Sequence, residues 1–197
     1  MNIPNRLTLL RIVLVPIIVL IYLFPYSHYG IDIKQFYIGS IRLSAINIIV
    51  TILYLIAALT DALDGYIARK KGMITTLGKF LDPIADKMLT TALLVLFVSR
   101  GIVPVVPVVI MVMRDIIVDG CRMMASNNGK VIAAGMLGKA KTVLQMVAIT
   151  LILLNNLPFE FIDIPASEIV LWFATFASLL SGIQYFNQTK EDIFESM

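Results

Sequence analysis

The chain of 197 residues is much more apolar than a water-soluble domain of this length. Hydrophobic residues make up 59% of it and charged residues 15%, whereas soluble domains have about 45–50% apolar and about 25% charged residues. This composition excludes intrinsic disorder, and the single cysteine, Cys121, excludes a disulfide scaffold. The net charge of +3 is too small to indicate a nucleic-acid partner. The composition therefore predicts a membrane protein.

Six apolar segments are candidates for membrane-spanning helices, which need about 20 mostly apolar residues each. They are Leu7–Phe24, Leu43–Thr60, Pro83–Ser99, Val103–Met123, Thr142–Leu157 and Ile169–Phe186. Several are near the lower length limit, and the fourth contains charged residues. The pattern predicts an all-α, polytopic membrane protein with six transmembrane helices in a single domain over residues 1–197. The segment Pro25–Arg42 is expected to be an external loop.

The basic residues predict the orientation of these spans. Six spans place both termini on one side, and cytoplasmic segments of membrane proteins are enriched in Lys and Arg. With cytoplasmic termini, only Lys34, Arg42 and Arg100 lie outside. The other thirteen of the sixteen basic residues lie at the cytoplasmic side: Arg6, Arg11, Arg69, Lys70, Lys71, Lys79, Lys87, Arg114, Arg122, Lys130, Lys139, Lys141 and Lys190. We therefore expect a multi-pass protein of the cell membrane with both termini in the cytoplasm.

Four acidic residues cluster where the second span ends and the third begins. Asp61 and Asp64 are three residues apart, and Asp82 and Asp86 are four apart, so each pair shares one face of a helix. Charged side chains at membrane depth cost about 2.5–3.5 kcal/mol each, so they indicate a function. Crowded carboxylates repel unless cations neutralise them, and oxygen ligands favour Mg2+ or Mn2+. Two such ions could share the four acids.

Small residues and one arginine accompany the acids. Gly65, Ala68 and Gly78 lie within one or two helical turns of an aspartate, and they leave flat patches on which a ligand or another helix can approach. Arg69 is a candidate phosphate partner. The alternative is structural: the acids could be solvated helix ends, and the small residues could only pack helices.

The array resembles the signature of the CDP-alcohol phosphatidyltransferase family, D-x2-D-G-x2-A-R-x8-G-x3-D-x3-D. The fixed positions are occupied by Asp61, Asp64, Gly65, Ala68, Arg69, Gly78, Asp82 and Asp86. The resemblance implies six transmembrane helices, a homodimer, and a divalent-metal site that faces the cytoplasm. It also implies that an alcohol displaces CMP from a CDP-linked lipid, with Asp86 as the general base.

Four further stretches resemble the family members whose acceptor is sn-glycerol 3-phosphate. They are residues 1–11, 114–122, 138–146 and 181–185. The implied donor is CDP-diacylglycerol, whose acyl chains stay among the membrane lipids. Its nucleotide would contact Asn5 and Thr8 on the first helix, as well as Gly65, Ala68 and Gly78, while Arg69 would contact its phosphates.

Four cations near the cytoplasmic ends of the fourth and fifth spans favour an acceptor that carries a phosphate. They are Arg114, Arg122, Lys139 and Lys141, and together they could surround a dianion. Alternatively, they could extend to anionic lipid headgroups.

Two other functions remain open. One is the same reaction with phosphatidylglycerol (cardiolipin formation) or inositol phosphate as acceptor. The other is a divalent-cation transporter, which predicts acids spread through the depth of the bundle.

Overall fold

In the computed structural model, the backbone is described for residues 3–71, 76–127 and 135–195. Side chains within these ranges are described except at 3–4, 61–71, 76–80, 82–83, 126–127 and 191–195. The helices are α1 (Ile3–Leu23), α2 (Ala45–Lys71), α3 (Thr76–Ser99), α4 (Val105–Asn127), α5 (Met136–Leu153) and α6 (Ala166–Glu195). Two short strands, β1 (Gln35–Ile38) and β2 (Ile41–Ser44), and two 3-10 turns complete the described elements. The mainly helical prediction is confirmed.

The helices are longer than the apolar segments that predicted them. Helix α2 continues eleven residues past Thr60, to Lys71, and α3 begins at Thr76, seven residues before Pro83. A helix satisfies its own backbone hydrogen bonds, so it can continue out of an apolar environment where its side chains become polar. The aspartate array therefore lies on helical backbone.

The chain is a membrane protein. Among the described residues, three helical segments are long and apolar enough to cross a bilayer: Asn5–Leu23, Met136–Leu153 and Ala166–Lys190. The segment Ala45–Thr60 is apolar but shorter. The prediction of six spans with cytoplasmic termini stays a prediction, as does that of a single domain.

The chain folds as two compact units, of which the first comprises Met1–Leu96 and Thr150–Ile164. In this unit, α1 packs against α2. The buried face of α1 recurs every three or four residues, as expected for one side of a helix. It consists of Asn5, Thr8, Arg11, Val15, Ile18 and Tyr22. The N-terminal half of this face is polar and the C-terminal half is apolar.

The predicted external loop contains an antiparallel β-hairpin, which the sequence analysis did not predict. Strands β1 and β2 are joined by Gly39 and Ser40, and Ile38 pairs with Ile41. Gly39 has a φ of +61°, and a Cβ there would lie 2.8 Å from the Phe161 ring, so the turn needs glycine. The Asn155 side chain donates a 2.6 Å hydrogen bond to the Arg42 carbonyl, which ties the hairpin to the segment after α5.

The second unit comprises Phe97–Ile149 and Pro165–Met197, and in it α4 packs against α6. The buried face of α6 includes the small residues Ala174, Ser178 and Ser181, which let membrane helices approach closely. Side-chain hydrogen bonds join Arg114 to Ser181 and Arg122 to Tyr185. The later residue of α4 thus pairs with the later residue of α6, so the two helices run parallel.

Candidate functional site

The metal and donor positions predicted from the aspartate array lie mostly outside the described side chains. This holds for Asp61, Asp64, Gly65, Ala68, Arg69, Gly78 and Asp82, whose helical backbone is described. Asp86 is described and is partly buried on α3. The structure therefore locates the array by its position along α2 and α3.

The four acids lie at similar distances along the chain from the link between α2 and α3. Asp61 is ten residues before the end of α2 and Asp86 is ten after the start of α3, or about 15 Å along each helix axis. Asp64 and Asp82 are seven and six residues from the same ends. Four residues join the two helices, so their ends lie at most about 18 Å apart.

Tyr54 supports the proximity of α2 and α3. It is 1% exposed and lies within electrostatic range of the Asp86 carboxylate. Its hydroxyl has no hydrogen-bond partner among the described residues. A buried hydroxyl without a partner is costly.

The two predicted donor contacts on α1 lie on its buried face. Asn5 is 6% exposed and Thr8 is 0% exposed. Arg11, one further turn along, is also fully buried. Arg11 was not predicted as a donor contact, although its spacing of three from Thr8 places it on the same face.

Asp115 holds two of the predicted acceptor cations in the second unit. Its Oδ1 lies 2.9 Å from Arg114 Nη1, and its Oδ2 lies 2.7 Å from Lys141 Nζ. Both cationic side chains are nearly buried, at 11% and 7% exposure. Charge-assisted hydrogen bonds of this length are among the stronger ones in proteins.

Tyr185 and Ser181 of α6 complete this arrangement. Arg122 Nη2 donates a 2.6 Å hydrogen bond to the Tyr185 hydroxyl, and Arg114 Nη2 donates one to Ser181 Oγ. The Tyr185 ring also lies 5.0 Å from the Arg122 guanidinium carbon and 5.6 Å from that of Arg114. Both distances are within the range of cation–π attraction. We call Arg114, Arg122, Lys141, Asp115, Ser181 and Tyr185 the basic cluster.

The fourth predicted cation, Lys139, differs from the other three. It is exposed, whereas Lys141 is buried on α5. Residues two apart on a helix point about 200° apart, so the two lysines lie on nearly opposite sides of α5. The structure therefore brings together Arg114, Arg122 and Lys141 but not Lys139.

Two glycines make room for the basic cluster. A Cβ on Gly182 would lie 3.0 Å from Arg114 Cγ, and a Cβ on Gly138 would lie 3.4 Å from Ser181 Oγ. Gly138 belongs to the first turn of α5, and the dipole at the N-terminus of a helix favours an anion. The cluster thus combines cations with a helix N-terminus, a combination that suits a phosphate group.

Three members of the cluster were missed as functional residues. Asp115 was predicted only as one of the charges in the fourth span and as part of the resembling stretch 114–122, and Ser181 and Tyr185 only as part of the stretch 181–185. The available signal was spacing: Ser181 and Tyr185 are four apart, and Arg114 and Arg122 are eight apart, so each pair occupies roughly one face of its helix.

The structure thus describes a helical membrane protein with a buried group of cations on α4 and α5 and a partly polar buried face on α1. Residues 1–180 match the CDP-alcohol phosphatidyltransferase family, and the chain belongs to this family. The chain is 40% identical over 190 residues to the CDP-diacylglycerol–glycerol-3-phosphate 3-phosphatidyltransferase of Bacillus subtilis (strain 168), with 96% of each chain covered.

Two other relatives have the same name. The protein of Rickettsia bellii (strain RML369-C) is 32% identical over 191 residues, with 96% of each chain covered. The protein of Haemophilus influenzae (strain ATCC 51907 / DSM 11121 / KW20 / Rd) is 34% identical over 202 residues, which cover 100% of this chain and 97% of the relative. The similarity therefore extends over nearly the whole of each relative.

Proposed function

We propose that this protein transfers the phosphatidyl group of CDP-diacylglycerol to the primary hydroxyl of sn-glycerol 3-phosphate. The products are phosphatidylglycerophosphate and CMP, so the enzyme is a transferase of phospholipid biosynthesis. The names of relatives that match over nearly the whole chain support this reaction. The structural observation that carries the choice of acceptor is the basic cluster.

The basic cluster favours an acceptor that carries a phosphate dianion. Three cations, Arg114, Arg122 and Lys141, are gathered on α4 and α5 and oriented by Asp115 and Tyr185. Burying several like charges together is unfavourable without anions to offset them. A neutral alcohol has no group that would balance these cations, whereas glycerol 3-phosphate does.

We assign the divalent metal and the donor to the aspartate array. Asp61, Asp64, Asp82 and Asp86 fit one or two Mg2+ or Mn2+ ions, because all four supply oxygen ligands and lie at similar distances from the link between α2 and α3. A divalent ion there would offset charge on the diphosphate and on departing CMP. Gly65, Ala68, Arg69 and Gly78 belong to the same helices, and Asn5 and Thr8 lie on the buried face of α1. We assign these six residues to donor binding.

The transfer step needs one base and one leaving group. The acceptor's primary hydroxyl oxygen bonds to the phosphorus that carries the diacylglycerol, and the bond from this phosphorus to the CMP oxygen breaks. CMP leaves with the electron pair, and the hydroxyl proton passes to the Asp86 carboxylate. The basic cluster holds the acceptor phosphate, so the hydroxyl is presented in a fixed orientation.

In the membrane, we propose six spans with both termini and the reaction site at the cytoplasmic side of the cell membrane. Successive spans cross a membrane in opposite directions, so the fourth and sixth spans should cross in the same direction. The parallel α4 and α6 agree with this expectation. We also propose a homodimer. Reporter fusions at each terminus test the orientation, and cross-linking in native membranes tests the dimer.

The deciding experiment measures CMP release by the purified full-length protein with Mg2+ or Mn2+ and CDP-diacylglycerol. Addition of sn-glycerol 3-phosphate should start the release, and EDTA should stop it. Asp82→Asn should abolish turnover, whereas the exposed control variant Asp32→Asn should not. Absence of CMP release with glycerol 3-phosphate would refute the proposed function.

An acceptor panel separates the alternatives. Turnover with phosphatidylglycerol or inositol phosphate in place of glycerol 3-phosphate would assign the other reactions of the family. Metal flux into proteoliposomes without CMP release would indicate a cation transporter.

A further inference from the structure

Asp115 is a buried acid within a site whose task is to bind an anion. It is 9% exposed, and each of its carboxylate oxygens contacts a different cation, Arg114 or Lys141. A negative charge next to a phosphate site weakens phosphate binding by simple Coulomb repulsion. Its presence therefore calls for a second effect that outweighs this repulsion.

The second effect is control of the position of Lys141. A lysine side chain has a flexible four-carbon stem, and its ammonium group tends to extend toward water when its surroundings are apolar. Lys141 is instead 6% exposed, with its Nζ 2.7 Å from Asp115 Oδ2. The contact joins two helices, α4 and α5, and it fixes the ammonium group within the cluster.

Asp115 also fixes the plane of the Arg114 guanidinium. Nη1 of Arg114 binds Asp115 Oδ1, while Nη2 donates to Ser181 Oγ. Because Asp115 holds one terminal nitrogen and Ser181 holds the other, the planar guanidinium has a single orientation. Arg122 is oriented independently, through the Tyr185 hydroxyl.

The charges of the cluster support the same interpretation. Arg114, Arg122 and Lys141 contribute +3 and Asp115 contributes −1, which leaves +2 at pH 7. A net charge of +2 matches a phosphate dianion, whereas three unopposed cations would repel one another in the empty site.

We propose that Asp115 is a positioning residue that holds Lys141 and Arg114 for the acceptor phosphate and so sets the preference for a phosphorylated acceptor. This inference rests on the proposed function. It gives Asp115 no contact with the reacting atoms. Its loss should therefore affect recognition of the acceptor and leave donor binding intact.

The experiment measures the KM for glycerol 3-phosphate of Asp115→Asn at saturating CDP-diacylglycerol, with Asp32→Asn as the matched control. Positioning predicts that the KM for glycerol 3-phosphate rises about 10-fold, equivalent to about 1.4 kcal/mol. The donor KM should stay within about two-fold of the wild-type value, because donor residues lie on other helices. A purely electrostatic role predicts the opposite sign, since the cluster charge would rise to +3. An unchanged or lowered acceptor KM would overturn the proposal.

A double-mutant cycle with Lys141→Gln tests whether Asp115 acts through Lys141. If it does, adding Asp115→Asn to Lys141→Gln raises the acceptor KM much less than it does in the wild type. If the two substitutions instead raise the acceptor KM by independent factors that multiply in the double variant, this mechanism is wrong. CMP release by the wild-type protein in the same assays tests the proposed function, whereas the acceptor KM of the variants tests this inference.

Asp115→Glu covers the case in which Asp115→Asn does not fold. It keeps the charge but moves the carboxylate by about one C–C bond, or about 1.5 Å. A positioning role predicts a raised acceptor KM, whereas a role of charge alone predicts the wild-type value. The wild-type value would overturn the proposal.

Discussion

Gly182→Ala tests the geometry of the basic cluster with a single added carbon. Gly182 lies on α6, and its new Cβ would lie 3.0 Å from Arg114 Cγ. Carbon atoms in ordinary contact are about 3.5–4.0 Å apart, so Arg114 would have to move by about 0.5 Å. Its guanidinium is held by Asp115 and Ser181, so the movement would be resisted at both contacts.

The expected cost follows from the Arg114–Asp115 contact. Lengthening it from 2.9 Å by about 0.5 Å would exceed the usual limit of about 3.2 Å. A hydrogen bond to a charged group contributes about 1.5–3 kcal/mol, of which we expect about 1 kcal/mol to be lost. That loss corresponds to an increase of about five-fold in the acceptor KM.

Gly120→Ala is the matched control, because Gly120 is also helical and a Cβ there meets nothing within 4 Å. Both variants gain about 1 kcal/mol of helix propensity, so the difference between them reports the contact with Arg114. The assay is CMP release against glycerol 3-phosphate concentration, together with the melting temperature in detergent. If both variants had the same acceptor KM, the tight packing of Gly182 against Arg114 would not matter for acceptor binding.

Four variants test individual side chains. Tyr185→Phe removes the 2.6 Å hydrogen bond from Arg122 and keeps the ring, so we expect the acceptor KM to rise about 5–10-fold with little change in kcat; an unchanged KM would contradict this. Lys141→Gln should raise the acceptor KM about 10-fold and Lys139→Gln less than about two-fold, because only Lys141 is held in the cluster; the reverse order would refute that distinction. Thr8→Val, which keeps the shape of a fully buried side chain, should raise the KM for CDP-diacylglycerol about 3–10-fold and not that for the acceptor; an effect on the acceptor alone would reassign Thr8.

The sequence predicted the features that depend on short spacings. The helical class followed from apolar segments, and the aspartate array followed from acids three and four residues apart. Helix bounds were less accurate, because α2 and α3 continue where hydropathy falls. Hydropathy reports the solvent around a helix, and backbone hydrogen bonding determines where the helix ends.

The sequence could not predict contacts that depend on tertiary packing. Asp115 meets Lys141 across 26 residues, and Arg114 meets Ser181 across 67. Charge alone grouped Lys139 with Lys141, whereas the packing of α5 buries the face that carries Lys141 and leaves Lys139 exposed. The β-hairpin did leave a signal, since Gly39 and Ser40 form a two-residue turn between short apolar runs.

The group that we propose the basic cluster binds is left unchanged by the proposed reaction. The phosphate assigned to Arg114, Arg122 and Lys141 is still present, at the far end of the glycerol, once the lipid has been formed. The cluster should therefore retain the product about as well as it retains the acceptor. Product inhibition should be competitive with glycerol 3-phosphate, and flux through the enzyme should depend on a later reaction that removes this phosphate from the lipid.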